Sequence, residues 1–344
     1  MNGSPENAID FVLLWVDGAD PVWQKKKNEY QKKENRAGYD ASAKRYRDYG
    51  LLKYWFRGVE KYAPWVHKVF LITDEQTPDW LNRDCPKLVC VDHKDYIPRE
   101  DLPTFSANPI ELNLHRIDEL GERFVFFNDD MFLTRSVSPD FFFKSGLPVL
   151  NPQISLTTPG SYSAFAHITL NNTMLINQRF NARKTILKAP GKWILPWKVG
   201  TKSAVKNLLP LVTGRFTGFS NPHLASPFLK STLFEVWEQY PEYLAKTSHN
   251  RFRSYEDVSQ YLFFEWQLAT GKFVPQKRKK LGRYFESAED GEMIAASIRR
   301  QEYPMVCIND VDDDASDESF MNTCRSLKEA FESILGEKSA FEKA

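Results

Sequence analysis

The sequence predicts an α/β fold, a twisted and mostly parallel sheet with flanking helices, and three observations predict it. Apolar runs of strand length alternate with helical stretches through the first third of the chain. Four of those runs end in polar, mostly acidic turns. An irregular Pro-, Gly- and Asn-rich stretch then interrupts at 140–220, and helical periodicity returns after it.

In order, "IDFVLLWV" (9–16) is the first strand. "GLLKYWFRGVEKYA" (50–63) is a helix with Leu51, Leu52, Tyr54, Trp55, Phe56, Val59 and Tyr62 on a broad apolar face; Lys53, Arg57 and Lys61 fall at a spacing of four, and Pro64 stops it. "HKVFLIT" (67–73) and "KLVCVD" (87–92) follow as strands, "IELNLHRIDELG" (110–121) as a helix and "RFVFFND" (123–129) as the fourth strand. Ligands of such sheets sit beyond the carboxyl ends of the strands. Those ends read "WVDGAD", "TDEQ", "DHKD" and "NDD", so Asp17, Asp20, Asp74, Gln76, Asp129 and Asp130 are placed to converge on one cleft. Asp129 and Asp130, adjacent at the end of an apolar strand, fit either a solvated turn or a compensating cation. No GxGxxG or GxxxxGK[ST] follows the first strand, so phosphate would be gripped by side chains and metal.

Three regions result: an α/β part at 1–139, an insertion of short strands or helices and long loops at 140–220, and a helical part at 221–344 that completes the cleft. In the last, "SPFLKSTLFEVWEQYPEYLAKT" offers Ser226 as an N-cap with Pro227 at the first helical position, and "SYEDVSQYLFFEWQLATG" has a serine cap and a glycine stop. "VCINDVDDDASDE" (306–318) repeats the pattern of a short strand ending in acid, which makes Asp310 a second metal candidate. The stripe Phe320, Cys324, Leu327, Phe331 and Ile334 predicts a docked terminal helix.

Composition narrows the function classes. The 46 basic and 45 acidic residues nearly cancel, which disfavours nucleic acid as a partner. No apolar run has the length of a bilayer span, and "MNGSPENAID" lacks the pattern of a secretory signal, so the expected location is cytoplasmic. Cys85, Cys90, Cys307 and Cys324 show no zinc-ligand spacing and are expected as free thiols.

Several polar groups can carry chemistry. His223, in "NPHLASP", is restricted by neighbouring prolines; position alone favours a structural hydrogen bond, and the residue also suits proton transfer. "NRFRSYED" (250–257) offers Arg251, Arg253, Glu256 and Asp257, and a guanidinium grips two phosphate oxygens at once. Glu111 and His115 are four apart, with Arg116 beside them, and can pair on the helix surface or face the cleft. "AKRYRDYG" supplies Arg45 and Asp48. The basic run "QKRKKLGRYF" (276–285) suits an anionic lipid surface or a polyanionic acceptor.

Together, "IDFVLLWVDGADP", "RYRDYGLLKYWFRGVEKYAPWVHKVFLITDEQTPDWLN" with "LPTFSANPIELNLHRI" and "FVFFNDDMFL", "NPHLASP…HNRFRSYEDVSQYLF" and "VCINDVDDD" resemble the four ordered blocks of the Stealth family. That family comprises bacterial capsular polysaccharide phosphotransferases and is similar to the catalytic core of the animal N-acetylglucosamine-1-phosphotransferase. The resemblance implies a nucleotide-sugar-binding α/β fold, Mg²⁺ or Mn²⁺, and transfer of a hexose or N-acetylhexosamine 1-phosphate from a nucleotide diphosphate sugar to a hydroxyl of a glycan acceptor. It also implies that Asp17, Gly18, Asp20, Arg45 and Asp48 form the donor pocket, that His223 and Arg253, with Asp48 and Asp130, are catalytic, and that Asp129, Asp130 and Asp310 lie nearest the metal. Gly50, Trp55 and Gly58 depart from the family's second block, and 140–220 is left to set the acceptor. A glycosyltransferase moving the sugar without its phosphate, and a non-catalytic glycan-binding protein, are the competing readings.

Overall fold

Alternation along the first strand sets the two faces of the central sheet. In β1 (Asp10–Leu14), Phe11 and Leu13 enter one apolar core and Val12 the other. β4 (Arg123–Phe127) divides likewise, Val125 and Phe127 against Phe124 and Phe126, and all of these are buried. In the computed structural model, which describes residues 7–34, 48–157, 163–286, 291–309 and 317–344, β1 pairs in parallel with β4 and with β2 (Val69–Thr73), which in turn pairs with β3 (Leu88–Asp92). The order is β3-β2-β1-β4, so four carboxyl ends share one rim, as the sequence predicts.

β8 (Ser226–Leu229) closes that sheet antiparallel to β4, where the sequence suggests the cap and first turn of a helix. Pro227 explains the difference. It pairs opposite Val125 on the last strand of the sheet, a position in which the missing N–H costs no ladder bond, and Gln267 side-chain atoms take the Leu229 N–H and the Pro227 carbonyl instead. The helix α10 (Lys230–Gln239) begins only afterwards.

Beyond Phe127 the Asn128–Asp130 turn, closed by the Met131 N–H on the Asn128 carbonyl, hands the chain to a second sheet. There β5 (Met131–Leu133) runs antiparallel to β11 (Met305–Asn309), which runs parallel to β10 (Arg283–Glu286). The acidic pair therefore sits at a junction between sheets. A third small sheet joins β6 (Phe143–Lys144), β7 (Leu147–Leu150) and β9 (Val274–Pro275).

One core face is covered by α2 (Leu52–Tyr62), α13 (Gly291–Arg299) and the terminal α14 (Asp317–Ile334), whose Leu327, Ala330 and Phe331 are buried. Arg57 of α2 is buried too. Its Nε and Nη2 donate to Glu342 at 2.8 and 2.9 Å and its Nη1 to the Leu335 carbonyl, so this cation ties the C-terminal segment to the domain. The other face carries α3 (Ala107–Leu112), α4 (Ala164–Arg179), α10, α11 (Pro241–Ser248) and α12 (Tyr261–Thr270), the last stopped by Gly271 at φ 79°. α12 starts later than "SYED", with Gln260 rather than a serine at its N-cap. α3 is shorter than the expected helix at 110–121, because Asn113 turns its side chain back onto the Pro109 carbonyl and Ser248; a single 3₁₀ turn, Leu114–Arg116, follows.

The segment at 140–220 is more helical than the sequence suggests. After α4 come α5 (Ala182–Lys188), α6 (Pro190–Trp193), α7 (Pro196–Val199), α8 (Thr201–Lys206) and α9 (Leu209–Thr213). α4 conceals itself in the sequence because its apolar residues encircle it: Ile168, Leu175 and Ile176 are buried while Phe165, Leu170 and Met174 are exposed. α1 (Pro21–Lys33), capped by the Asp20 carboxylate on the Val22 N–H, flanks the first loop.

Candidate active site

A cleft of ≈ 300 Å³ opens at the shared rim. Trp15 and Val16 after β1, Ile72 of β2, His93 after β3 and Asn128, Asp129 and Asp130 after β4 line one side, with Thr104 and Ser106 from the loop before α3. His223, Arg253 and Asn309 complete it from segments far away in sequence.

His223 is held in place by its backbone and by both ring nitrogens. Its φ of 47° is left-handed, a conformation histidine adopts more readily than most residues. Nδ1 pairs with the Tyr261 hydroxyl at 2.8 Å, and Nε2 lies 3.5 Å from Oδ2 of Asp130. Burial pulls the ring's proton affinity down, but the hydrogen bond and charge of Asp130, with Glu111 behind, prevail and raise its pKa above the ordinary 6.5. Asp130 is fixed in turn. The Cys307 thiol donates to its Oδ2 at 3.2 Å, and its carbonyl accepts from the Ile308 N–H at 2.9 Å. Cys307 reaches that position because β11 pairs it opposite Met131.

Arg253 sits on a loop that a buried carboxylate organises. Asp257, fully buried, accepts from Asn250 Nδ2 at 2.7 Å, Asn108 Nδ2 at 3.0 Å and the Ser254 N–H at 2.9 Å. The loop is anchored further by Phe252 packed on Phe105 and Trp23. Glu111 of α3 is buried close to both Arg253 and His223; burial pushes its carboxyl up to about 7 while those two charges and the Gln260 N–H oppose the rise.

Asp129 opens onto the water of the cleft yet is ringed by protein. That enclosure, with Asp130 and Asp48 beside it, pushes its carboxyl up to about 8. Asp48 is itself raised, chiefly by enclosure, with the Gly50 N–H opposing. Asp129, with Asp130 and Asp48 close enough to raise it, forms the centre of an acidic pole. Among the described residues Oδ1 of Asp130 is buried with no hydrogen-bond partner, so one lone-pair face of this pole is unsatisfied. Carboxylate oxygens with an orphaned acceptor suit a hard divalent cation such as Mg²⁺ or Mn²⁺. Cys307 is also within reach, since ligand atoms of Asp130, His223 and Cys307 lie within 4.8 Å of one another. Burial and Asp130 hold its thiol well above the ordinary range, which leaves it a hydrogen-bond donor to the carboxylate rather than a thiolate ligand.

The remaining sequence-predicted positions divide. Gln76 accepts from the Asp17 N–H at 2.9 Å and donates to the Asp17 carbonyl and to Asp20, while Gly18 O accepts from Gln24. These four residues therefore lock the first loop rather than line the cleft, although Asp17 lies near Asp48. Asp74 pairs with Lys26 at 2.8 Å and is committed to that partner. His115 packs on Phe234 and Trp237 and Arg116 stacks on Trp237, and neither lines the cleft. Arg45 and Asp310 lie outside the described residues. Three cleft participants escape sequence reading. Tyr261 and Cys307 look like ordinary core residues, and His93, buried with Nδ1 unpartnered and its pKa lowered to about 4 by burial against the pull of Asp74 and Asp92, looks like a loop residue.

Glu265 of α12 is fully buried beside Asn221, whose amide opposes the rise in its pKa, and among the described residues neither carboxylate oxygen has a partner in good hydrogen-bond geometry. Burial raises its pKa well above the ordinary value, so the folded chain holds a proton that the unfolded chain releases above about pH 4.3. Stability is therefore lost as pH rises from that point. Glu265→Gln removes this penalty and is expected to raise the Tm by about 2 °C or more at pH 8, with a smaller gain at pH 5; a gain independent of pH in calorimetry would contradict it.

Comparison with known proteins identifies the family. Stealth protein conserved region 1 matches residues 7–34, conserved region 2 residues 45–149 and conserved region 3 residues 222–264. The chain is 44% identical to a capsular polysaccharide phosphotransferase of Streptococcus pneumoniae, covering 98% of this chain and 99% of that one. It is 43% identical to a receptor polysaccharide phosphotransferase of Streptococcus oralis over the same shares, and 41% identical to an exopolysaccharide phosphotransferase of Lactiplantibacillus plantarum over 97% and 96%. A galactosyltransferase solved with donor and acceptor sugar analogues aligns over 94% and 96% of the two chains with a TM-score of 0.39 and 10% identity, a likeness too loose to carry argument. On three conserved regions and near-full-length identity, the chain belongs to the Stealth family and is an enzyme of the transferase class.

Proposed function

We propose that the enzyme transfers a sugar 1-phosphate from a nucleotide diphosphate sugar to a hydroxyl of an acceptor glycan in the synthesis of a cell-surface polysaccharide. The observation that carries this is the approach of His223 to within 3.5 Å of Asp130 in a cleft that also presents Arg253. A base, an acidic pole and a phosphate-gripping cation face one small space. Catalysis of phosphoryl transfer rests mainly on positioning and charge neutralisation.

In this reading the acceptor hydroxyl approaches Nε2 of His223, which takes its proton; Asp130 and Glu111 strengthen the ring as a base by favouring the imidazolium. Arg253 holds non-bridging oxygens of the transferring group, and the Asp257 network fixes its loop so that little ordering remains on binding. Asp129 and Asp130 would hold the divalent cation, which supplies charge neutralisation for the leaving nucleotide's phosphate. Trp15 and Val16 close the apolar wall of the cleft.

Incubation with a panel of nucleotide sugars, Mg²⁺ or Mn²⁺ and glycan acceptors, followed by mass spectrometry, tests the reading. Release of a nucleoside monophosphate with phosphorus retained in the glycan is expected. Release of a nucleoside diphosphate would replace the proposal with simple glycosyl transfer.

A further inference from the structure

Alongside the His223 loop lies a second and larger concavity, a groove of ≈ 860 Å³. Pro222, next to the histidine, lines it, and so does Tyr284, whose ring stands edge-on to the imidazole with centroids 5.6 Å apart. The Tyr284 hydroxyl accepts from Nδ2 of Asn309, a residue of the cleft. The two spaces are thus neighbours across one histidine and one tyrosine.

The groove is strongly basic in a chain whose formal net charge is +1. Lys202 of α8 and Lys277, Arg278, Lys279 and Arg283 from the run before and within β10 face it, against one acid, Glu286. Among the described residues no carboxylate pairs with Lys202, Lys277 or Lys279. The run is held in place rather than free to extend. Arg278 donates to the Ser220 hydroxyl at 2.8 Å, and Gly282, at φ 154°, lies so near the Met305 carbonyl that a Cβ would stand 2.4 Å from it. Lys202, Lys277 and Lys279, cations from two distant segments gathered around one concavity, repel one another unless an anion lies between them.

We infer that this groove binds the acceptor glycan through phosphate groups that the glycan already carries. The inference rests on the proposed transfer reaction, because a polymer built that way contains a phosphodiester at each round, and the units behind the attacking hydroxyl are anionic. Tyr284 and Tyr303 offer rings for sugar faces between those charges. The groove exceeds the ≈ 300 Å³ donor cleft, which matches several sugar units rather than one nucleotide. The phosphate can stand in the repeat itself or as a diphosphate at the reducing end; the chemistry that the lysines recognise is the same.

Direct binding without donor tests this, so its outcome does not depend on which nucleotide the enzyme releases. The probes are a labelled oligosaccharide with internal phosphodiesters, its phosphate-free counterpart, that counterpart ending in a diphosphate, and phosphatidylglycerol vesicles. In about 0.05 M salt a phosphate-bearing glycan is expected to bind about tenfold or more tighter than the neutral one, an advantage that shrinks toward about 0.5 M salt as screening shortens. The variant carrying Lys202→Ser, Lys277→Ser and Lys279→Ser, with an unaltered Tm, is expected to lose most of that advantage; an advantage confined to the diphosphate probe places the phosphate at the reducing end. Equal affinity for charged and neutral glycans, or an advantage that the variant retains, overturns the inference. Vesicle binding abolished by the variant, with no discrimination among glycans, overturns it in favour of a membrane contact.

Discussion

Asp130→Asn is expected to lower kcat by about a thousandfold or more while the Tm stays within about 2 °C of the parent. The amide keeps the shape of the side chain and an oxygen for the Cys307 thiol, and the backbone bond from Ile308 is untouched. Loss of one negative charge also relieves Asp129, whose carboxyl is raised partly by that neighbour. The fold therefore has little to lose. The site has much to lose, because the same charge faces Nε2 of His223 and presents the orphaned oxygen that a cation would satisfy. Divalent-cation affinity, read by calorimetry on the unliganded protein, is expected to fall with activity. A variant that turns over within about tenfold of the parent and binds the cation equally would remove Asp130 from the chemistry.

His223→Asn is the second large effect, an expected loss of about 10²–10⁴ in kcat with the KM for the nucleotide sugar changed by less than about threefold. Asparagine is chosen because it tolerates the left-handed backbone that this position imposes, at φ 47°, so the loop and β8 need not shift. What disappears is the imidazole that faces the cleft: the bond to Tyr261 and the approach to Asp130 both go. A proportional fall in donor affinity, with the turnover of bound substrate preserved, would make the residue a donor contact instead of a base. Read together, the two variants separate the acidic pole from the proton acceptor.

How much of this was legible in the sequence depended on the residue. Four strand ends with polar turns were readable because period-2 burial and acidic punctuation are local signals, and Asp129 and Asp130 stand where that reading put them. The terminal stripe was readable for the same reason. Pro227 misled, because a proline after serine marks a helix start in isolation, while an edge strand accepts it equally well once β4 is beside it. His115 and Arg116 fall within one helix in the sequence pattern, which does not record that Asn113 ends α3 before them. Arg57 shows the converse, a charge on a helix that reads as solvated until the tail supplies Glu342.

The sequence by itself determined the four parallel strands of the central sheet, the helix at 50–63, the rim on which the acids stand and, through its blocks, the family. Only the tertiary structure decided that the 223 imidazole meets Asp130, that Cys307 stands behind that carboxylate, that Asn108 and Asn250 hold the Arg253 loop through Asp257, and that the 276–285 cations share a concavity with Lys202. The reason is physical: periodicity records which way a side chain faces along its own segment, whereas its partner is set by sheet pairing, crossovers and packing between segments tens to hundreds of residues apart.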